Sequence, residues 1–168
     1  MEEFLAGGII ASALFAALTG QKARHANLKK LKAPDENEIT VATYNLLGQG
    51  LMEHSDCNRD ATVRSWNYRK TLIEDFLGWC ETVSADFICL QEADRYADVL
   101  KPKLDKLGYD SVAVQYGFPV EPTSYIVTAW KRSRWSVETI IQEDYANVQG
   151  LGDLARLYRA TIAKLKNI

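Results

Sequence analysis

The sequence contains few of the residues that build disulfide-rich, zinc-binding or histidine-dependent sites. Its 168 residues include three cysteines and two histidines. The cysteines have no close paired spacing, which excludes a zinc motif and argues against a disulfide framework; they are Cys57, Cys80 and Cys89. Unpaired cysteines are typical of a reducing compartment, so the sequence predicts an intracellular protein.

The sequence also lacks an excess of positive charge. The formal net charge is -2, and the isoelectric point is near 5.7. A protein that binds nucleic acid through its phosphates usually carries a basic face, so any such face here must be local. The hydrophobic share of 47% and the charged share of 25% indicate a globular protein, and the length suffices for one domain.

Charge is absent from residues 4–20, which are apolar and rich in alanine and glycine. As a helix this segment would measure about 25 Å, slightly less than the hydrocarbon core of a bilayer. The sequence therefore predicts a hydrophobic N-terminal helix over residues 1–20 that anchors the chain in a membrane or packs on a partner protein. The alternative is a mobile terminal segment. A charged linker follows at residues 21–38, and a folded domain is expected over residues 39–168.

Strand and helix patterns alternate along this domain, which predicts an α/β architecture. Alternating or continuous apolar runs predict strands over residues 39–47, 86–92, 110–116, 125–130 and 135–141. The last two flank the polar run 131–134, which predicts a hairpin turn. Helical spacing predicts one helix over residues 66–83 and a second over residues 96–107, which Pro102 should kink or divide. Residues 154–166 are consistent with either a strand or a helix.

Two strand ends and one helix start carry a family resemblance. Residues 43–47 read Thr-Tyr-Asn-Leu-Leu, residues 86–92 end in Gln-Glu, and residues 66–70 read Trp-Asn-Tyr-Arg-Lys. Together they resemble the endonuclease/exonuclease/phosphatase superfamily, in the branch of the poly(A) deadenylases and nocturnin. Leu-Gly-Tyr at 107–109 is similar too. The segment 125–135 occupies the place of a family hairpin, although Ser-Tyr-Ile replaces the usual Gly-Cys-Ala start.

The resemblance covers residues 39–141 and implies a two-sheet α/β sandwich, of which this chain would supply the N-terminal half. About one sheet and its covering helices would be present. Val41, Ile88 and Leu90 would then face the missing second sheet, leaving an apolar surface open. Another protein chain or the C-terminal tail would cover that surface, or else the sequence is incomplete.

The resemblance also implies a magnesium site. Glu92, at the end of an apolar strand, would be the main metal ligand, and Asn45 would lie beside it. Magnesium prefers hard oxygen ligands and is often bound by one or two carboxylates, water and a substrate phosphate. Without the resemblance, Glu92 and Asn45 would be interpreted as ordinary polar residues at strand ends.

The remaining catalytic groups of the family come from later segments: an Asn-Thr-His-like strand end, an Asp-x-Asn motif and a terminal Ser-Asp-His. None of these motifs occurs after Glu92. His54, in the loop after the first strand, is the one residual candidate for a general base, although a lone loop histidine is more often simply solvated. We therefore expect the chain by itself to be inactive, because it lacks a base and several charge-stabilising groups.

Four basic residues are candidates for contact with phosphate or nucleic acid. Arg69 lies at the start of the first helix, and the other three lie in the turn after Trp130: Lys131, Arg132 and Arg134. A base could stack on Trp130 or Trp135 while the cations bind phosphate. The alternative is a solvated turn between two strands whose tryptophans belong to the core.

Three functions remain open at this point. The chain is a truncated relative of magnesium-dependent phosphodiesterases that act on RNA or nucleotide phosphates, or a non-catalytic scaffold subunit of a membrane-associated complex, or an RNA- or nucleotide-binding module. Metal-dependent turnover would favour the first, a stable metal-independent membrane protein the second, and salt-sensitive RNA binding the third.

Overall fold

The computed structural model describes residues 38–49, 62, 65–116, 124–144 and 159–168. The expected hydrophobic N-terminal helix, the charged linker up to residue 37, Cys57 and the candidate base His54 lie outside these residues. Within the described ranges, none of the helices is long and apolar enough to cross a membrane. The anchor over residues 4–20 therefore stays a prediction.

The described elements alternate as expected. Six strands are formed: β1 (Val41–Asn45), β2 (Phe87–Gln91), β3 (Tyr109–Tyr116), β4 (Ser124–Lys131), β5 (Trp135–Asp144) and β6 (Arg159–Asn167). The helices are α1 (Trp66–Thr82), a π-helical turn (Tyr96–Leu100) and α2 (Lys101–Lys106). The α/β class is confirmed, and the ambiguous C-terminal segment contains a strand.

Helix α1 forms because its apolar residues recur on one face. Ile73, Phe76, Leu77 and Cys80 are all buried at this spacing. The second predicted helix is divided, as Pro102 suggested. The proline lies in the first turn of α2, where a backbone N–H has no partner within the helix, and a π-helical turn precedes it.

The main sheet has four strands in the order β1-β2-β4-β3. β1 and β2 are parallel, and the other neighbours are antiparallel. The helices cover one face of this sheet, and the hydrophobic core lies between the helices and the sheet. Fully or almost fully buried side chains from the sheet side of this core are Ala42, Ile88, Leu90, Val127 and Ala129.

The expectation that Val41, Ile88 and Leu90 share an open face is wrong. Val41 pairs in register with Phe87 and therefore points to the same face of the sheet as Phe87. Because side chains alternate between faces along a strand, Ile88 and Leu90 point to the other face. Ile88 and Leu90 are 0% exposed beneath the helices, whereas Val41 is 37% exposed. The expectation failed because sequence alone does not give the register of two strands.

The predicted hairpin between β4 and β5 is also wrong in its pairing. The turn at residues 132–134 exists, but β5 pairs with β6 in a separate two-stranded antiparallel sheet. The buried Asp86 lies at this junction. Its carboxylate accepts hydrogen bonds from the Thr40 N–H and the Trp135 indole, both 2.9 Å long, and lies 2.8 Å from Arg134. These bonds tie the start of β5 to the start of β2.

Candidate metal and phosphate site

The carboxyl ends of two neighbouring parallel strands bring Asn45 and Glu92 together. Asn45 is the last residue of β1 and pairs with Gln91, the last residue of β2. Glu92 follows directly, and the Asn45 Nδ2 donates a 2.7 Å hydrogen bond to its Oε1. The sequence predicted this proximity through the resemblance, and the parallel pairing provides its structural cause.

The loop after β1, residues 46–49, binds the second oxygen of the same carboxylate. The Gly48 N–H donates to Glu92 Oε2 over 3.1 Å. The Leu47 N–H donates to Asn45 Oδ1 over 2.8 Å, which fixes the orientation of the Asn45 amide. Each Glu92 oxygen thus accepts one hydrogen bond from the described residues, and a carboxylate oxygen has a second lone pair that can bind a cation or a water.

Backbone strain is concentrated at the same place. Leu47 and Glu92 have φ angles of +58° and +55°, in the left-handed region that side chains other than glycine rarely adopt. Such conformations cost on the order of 1–3 kcal/mol each and persist where the surrounding structure fixes them. Here the bonds among Asn45, Leu47, Gly48 and Glu92 provide that fixation.

Gly48 and Asp94 complete the site, and neither was predicted from the sequence. A Cβ on Gly48 would lie 3.2 Å from Ser124 Oγ and 3.5 Å from Asp94 Oδ2, so the close approach of the loop favours glycine. Asp94 accepts a short hydrogen bond from the Gln49 N–H. The available signals were the glycine at the strand exit and the carboxylate two residues after Glu92.

Arg69 is buried beneath this loop. It is 5% exposed, donates through Nη1 to the Leu46 carbonyl over 3.4 Å, and donates through Nη2 to Gln49 Oε1. Burial lowers the pKa of Arg69, whereas the negative charge of Asp94 acts in the opposite direction. Its guanidinium is enclosed and already bound to the protein, and contact of Arg69 with a phosphate stays a prediction.

The donor set fits a magnesium ion held in part by this chain. Glu92 offers a carboxylate whose two oxygens are oriented by the protein, and Asp94 adds a second carboxylate nearby. Magnesium accepts such an incomplete protein shell because water and phosphate oxygens fill the remaining positions. Among the described residues, no three His, Cys, Asp or Glu side chains cluster as a metal site. Glu92 and Asn45 as metal-site residues stay a prediction.

The basic turn lies at the other end of the sheet. Trp130 pairs with Phe87, the first residue of β2. Glu92 follows Gln91, the last residue of β2, which lies about 13 Å from Phe87 along the strand. Arg132 binds Asp110 over 3.0 Å and the Tyr109 carbonyl over 3.1 Å.

The basic turn is therefore remote from the strand-end site, and contact of Lys131, Arg132 and Arg134 with phosphate or nucleic acid stays a prediction. Arg134 forms the ion pair with Asp86, Lys131 is partly buried at the same end, and Trp130 is 4% exposed. The alternative interpretation of tryptophans in the core holds for Trp130. Trp135 is partly buried, with its ring packed on Phe87 at a centroid distance of 4.9 Å.

An exposed cation near the site was missed as well. Arg95 lies three residues after Glu92, and its guanidinium carbon is 5.2 Å from the centroid of the Trp66 ring. Arg69 approaches the same ring at 5.7 Å. Arg95 also pairs with Asp98, so a phosphate would have to compete with that carboxylate.

Part of the chain is similar in sequence to known proteins. No family model matches the chain. Protein angel homolog 1 of Homo sapiens is 36% identical over 89 residues, which are 47% of this chain and 12% of that protein. Nocturnin of Homo sapiens is 39% identical over 74 residues, which are 42% of this chain and 16% of nocturnin. The chain is related to the Angel and nocturnin proteins.

The solved structures agree on the fold. The crystal structure of ANGEL2, described as a 2′,3′-cyclic phosphatase, superposes with a TM-score of 0.64 at 23% identity over 77% of this chain and 37% of ANGEL2. ANGEL2 has also been solved with adenosine-2′,3′-vanadate. The resemblance to the deadenylase and nocturnin branch of the endonuclease/exonuclease/phosphatase superfamily is confirmed. The chain spans well under half the length of these relatives.

Proposed function

We propose that this chain contributes the magnesium-binding end of a phosphodiesterase or phosphatase site that acts on RNA or nucleotide phosphates. The observation that supports it most is the convergence of Asn45 and the Gly48 N–H on the two oxygens of Glu92, at adjacent strand ends. A solvated glutamate in a structural role does not need a separate protein donor for each of its two oxygens. Carboxylates held in this way are pre-organised to bind a cation.

The chemistry of such a site divides between the cation and the chain. A magnesium ion bound at Glu92 would neutralise charge on a phosphate oxygen. The chain itself orients the Glu92 carboxylate through Asn45 and Gly48. The neighbouring Asp94 holds the Gln49 backbone, so that the loop presents a fixed rim to a bound phosphate.

The substrate class follows from the relatives. ANGEL2 is described as a 2′,3′-cyclic phosphatase, and its complex contains an adenosine derivative. We therefore propose an RNA end or a nucleotide phosphate as the ligand here. Arg95 is the exposed cation best placed in the described part of the chain to contact a second phosphate oxygen, once it leaves Asp98.

We further propose that the 168 residues do not turn over substrate by themselves. No histidine follows Glu92, and the Asn-Thr-His-like, Asp-x-Asn and Ser-Asp-His segments of the family are absent after it. General acid–base catalysis contributes about 10²–10⁴-fold, and each oriented charge-stabilising donor contributes about 10²–10³-fold. The chain lacks several such groups together.

Metal binding is the first test. Isothermal titration of the full chain with Mg²⁺ and Mn²⁺ should show binding, and Glu92→Gln should weaken it about 10-fold or more. Glu74→Gln is the matched control, because Glu74 lies in α1 and pairs with Lys103 away from the site. Equal affinity in the wild type and in Glu92→Gln would contradict the proposed metal site.

Turnover is the second test. Short poly(A) RNA and adenosine 2′,3′-cyclic phosphate are incubated with the chain, with and without Mg²⁺. We expect no hydrolysis above the Glu92→Gln background. Mg²⁺-dependent hydrolysis that Glu92→Gln abolishes would confirm the site and refute the proposed inactivity, and His54→Ala would then be the next variant.

A scaffold function is the second candidate, favoured by exposed apolar residues on the two-stranded sheet. Val137, Ile140 and Ile141 are 43%, 40% and 46% exposed, and consecutive residues of a strand point to opposite faces. A two-stranded sheet is seldom stable alone in water. In this proposal another protein chain covers the sheet, and residues 4–20 attach the complex to a membrane. A monodisperse monomer in analytical ultracentrifugation, with unchanged stability after Ile141→Lys, would argue against it.

A further inference from the structure

Arg69, which is buried beneath the loop after β1, has no role in the proposed chemistry. Burying its positive charge costs desolvation free energy. Arg69 is 5% exposed, yet its Nε has no hydrogen-bond partner among the residues that the structure describes. A buried charge with an unsatisfied donor destabilises a fold unless other bonds offset it. An apolar side chain would fill the same space at lower cost.

The side-chain hydrogen bonds of Arg69 within the described residues lead to one segment. Its Nη1 reaches the Leu46 carbonyl and its Nη2 reaches the Gln49 side chain, at the two ends of the loop 46–49. Between these ends, the Gly48 N–H bonds to Glu92 and the Gln49 N–H bonds to Asp94. The guanidinium fork thus spans the loop that orients the Glu92 carboxylate.

The other bonds of the loop described above use its own N–H groups, whereas Arg69 bonds acceptors at both of its ends. The Leu46 N–H donates to the Gln91 carbonyl over 2.9 Å, and the N–H groups of Leu47, Gly48 and Gln49 donate to side chains. Leu47 is held in a left-handed conformation that a free loop would relax. Arginine is suited to the task because its planar fork can bond two acceptors at once, which lysine cannot do with the same geometry.

We propose that Arg69 is a positioning residue: by bridging Leu46 and Gln49 it fixes the loop so that the Gly48 N–H meets Glu92. Its effect on metal binding rests on the proposed function, whereas its effect on the loop does not. Arg69 touches neither metal nor substrate in this arrangement. It acts through the backbone of residues 46–49.

The first measurement is residue-resolved amide hydrogen exchange of the metal-free chain. Arg69→Met and Arg69→Lys should each accelerate exchange at Gly48 and Gln49 by about 10-fold or more, because their bonds depend on the loop. Exchange at Lys131 and Ala85, bonded within the fold elsewhere, should change by less than about twofold. Arg132→Met is the matched control, since it removes an arginine with two protein acceptors at the other end of the sheet.

The second measurement is Mn²⁺ affinity by titration, which separates geometry from charge. Arg69→Lys keeps the positive charge and loses the fork, whereas Arg69→Met loses both. If Arg69 positions the loop, both variants bind Mn²⁺ about 10-fold more weakly or worse. If Arg69 acts only as a nearby positive charge, Arg69→Met binds Mn²⁺ more tightly and Arg69→Lys is unchanged, and the proposal fails.

Two further outcomes are decisive. Exchange that rises equally at Gly48, Lys131 and Ala85 would show that Arg69 merely stabilises the whole fold, and would overturn the proposal. A wild-type chain that binds no Mn²⁺, with Gly48 and Gln49 still deprotected in both Arg69 variants, would refute the metal function and support the positioning role.

Discussion

Two ionisable side chains, Cys80 and Tyr109, belong to the hydrophobic core and not to the candidate site. Cys80 and Tyr109 are buried beside each other in the core, and the Tyr109 hydroxyl donates to the Ala85 carbonyl over 2.7 Å. Burial raises the pKa of the Cys80 thiol to about 12 and raises the pKa of Tyr109 above its ordinary value. Both groups therefore remain neutral in the folded chain at neutral pH. They also make the fold sensitive to alkali.

We expect stability to fall as pH rises from about 9 towards 12. The unfolded thiol ionises near pH 9 and the folded one near 12, so the stability contributed by the neutral thiol is complete below pH 9 and is lost above it. Each proton involved contributes a slope of about 1.4 kcal/mol per pH unit. Urea unfolding at pH 8.0 and 10.5 measures the change.

The matched variants are Cys80→Ala and Cys89→Ala. Cys80→Ala should reduce this pH dependence by about 2 kcal/mol over the interval. Cys89 is only partly buried, and its pKa is also raised by burial, so Cys89→Ala should reduce the dependence less. An identical pH dependence in the wild type and in Cys80→Ala would contradict this account.

Elements meet at the strand-end site with little room between them. The loop after β1 passes so near β4 and the residues after β2 that a Cβ added at Gly48 would have three heavy atoms within 4 Å: Ser124 Oγ, Asp94 Oδ2 and the Glu92 carbonyl oxygen. Gly78 in α1 is the opposite case, because a Cβ there would meet nothing within 4 Å. The same substitution should therefore have opposite effects at the two positions.

Gly48→Ala should destabilise the chain by about 1 kcal/mol through overpacking against Ser124 and should weaken Mn²⁺ binding. Gly78→Ala should stabilise it by about 0.5–1 kcal/mol, since alanine favours the helix. Chemical denaturation measures both. Ser124→Ala should relieve part of the Gly48→Ala defect, and strict additivity of the two changes would show that they do not contact each other.

The two sheets are connected by hydrogen bonds and an ion pair at the end of the main sheet that is remote from the strand-end site. Asp86 binds the Thr40 N–H before β1, and Arg134 and Trp135 at the start of the second sheet. Its carboxylate is fully buried, whereas the Arg134 side chain is 27% exposed. One carboxylate thus connects the two sheets.

Asp86→Asn should lower the free energy of unfolding by about 3 kcal/mol, because it leaves Arg134 without a buried counter-charge and removes an acceptor. Equilibrium unfolding in urea measures the loss, and the Trp135 fluorescence should change with it. Asp98→Asn, which removes the exposed pair with Arg95, should have little effect. An equally small effect of Asp86→Asn would show that Asp86 is not the connection.

The sequence by itself determined most of the local structure, because local structure follows from spacing. Helical spacing predicted α1 within a residue or two, alternating or continuous apolar runs predicted β1 to β5, and Pro102 predicted the division before α2. Residues 154–166, which contain most of β6, were left open between a strand and a helix. The motifs around Asn45 and Glu92, together with the Trp-Asn-Tyr-Arg-Lys helix start at residues 66–70, carried the family resemblance. The strand assignment at Trp135 was right, although its partner was not.

Only the tertiary structure decided which residues share a face, a sheet or a site. Strand register places the Val41 and Ile88 side chains on different faces of the sheet. β5 pairs with β6 in a second sheet, and Asp86 bonds its first residue, Trp135. The burial of Arg69 and its hydrogen bonds to Leu46 and Gln49 are also visible only in the tertiary structure. Gly48 and Asp94 entered the site through contacts between residues some 45 positions apart in sequence. Spacing along the chain carries no information about such contacts, because they depend on how whole elements pack.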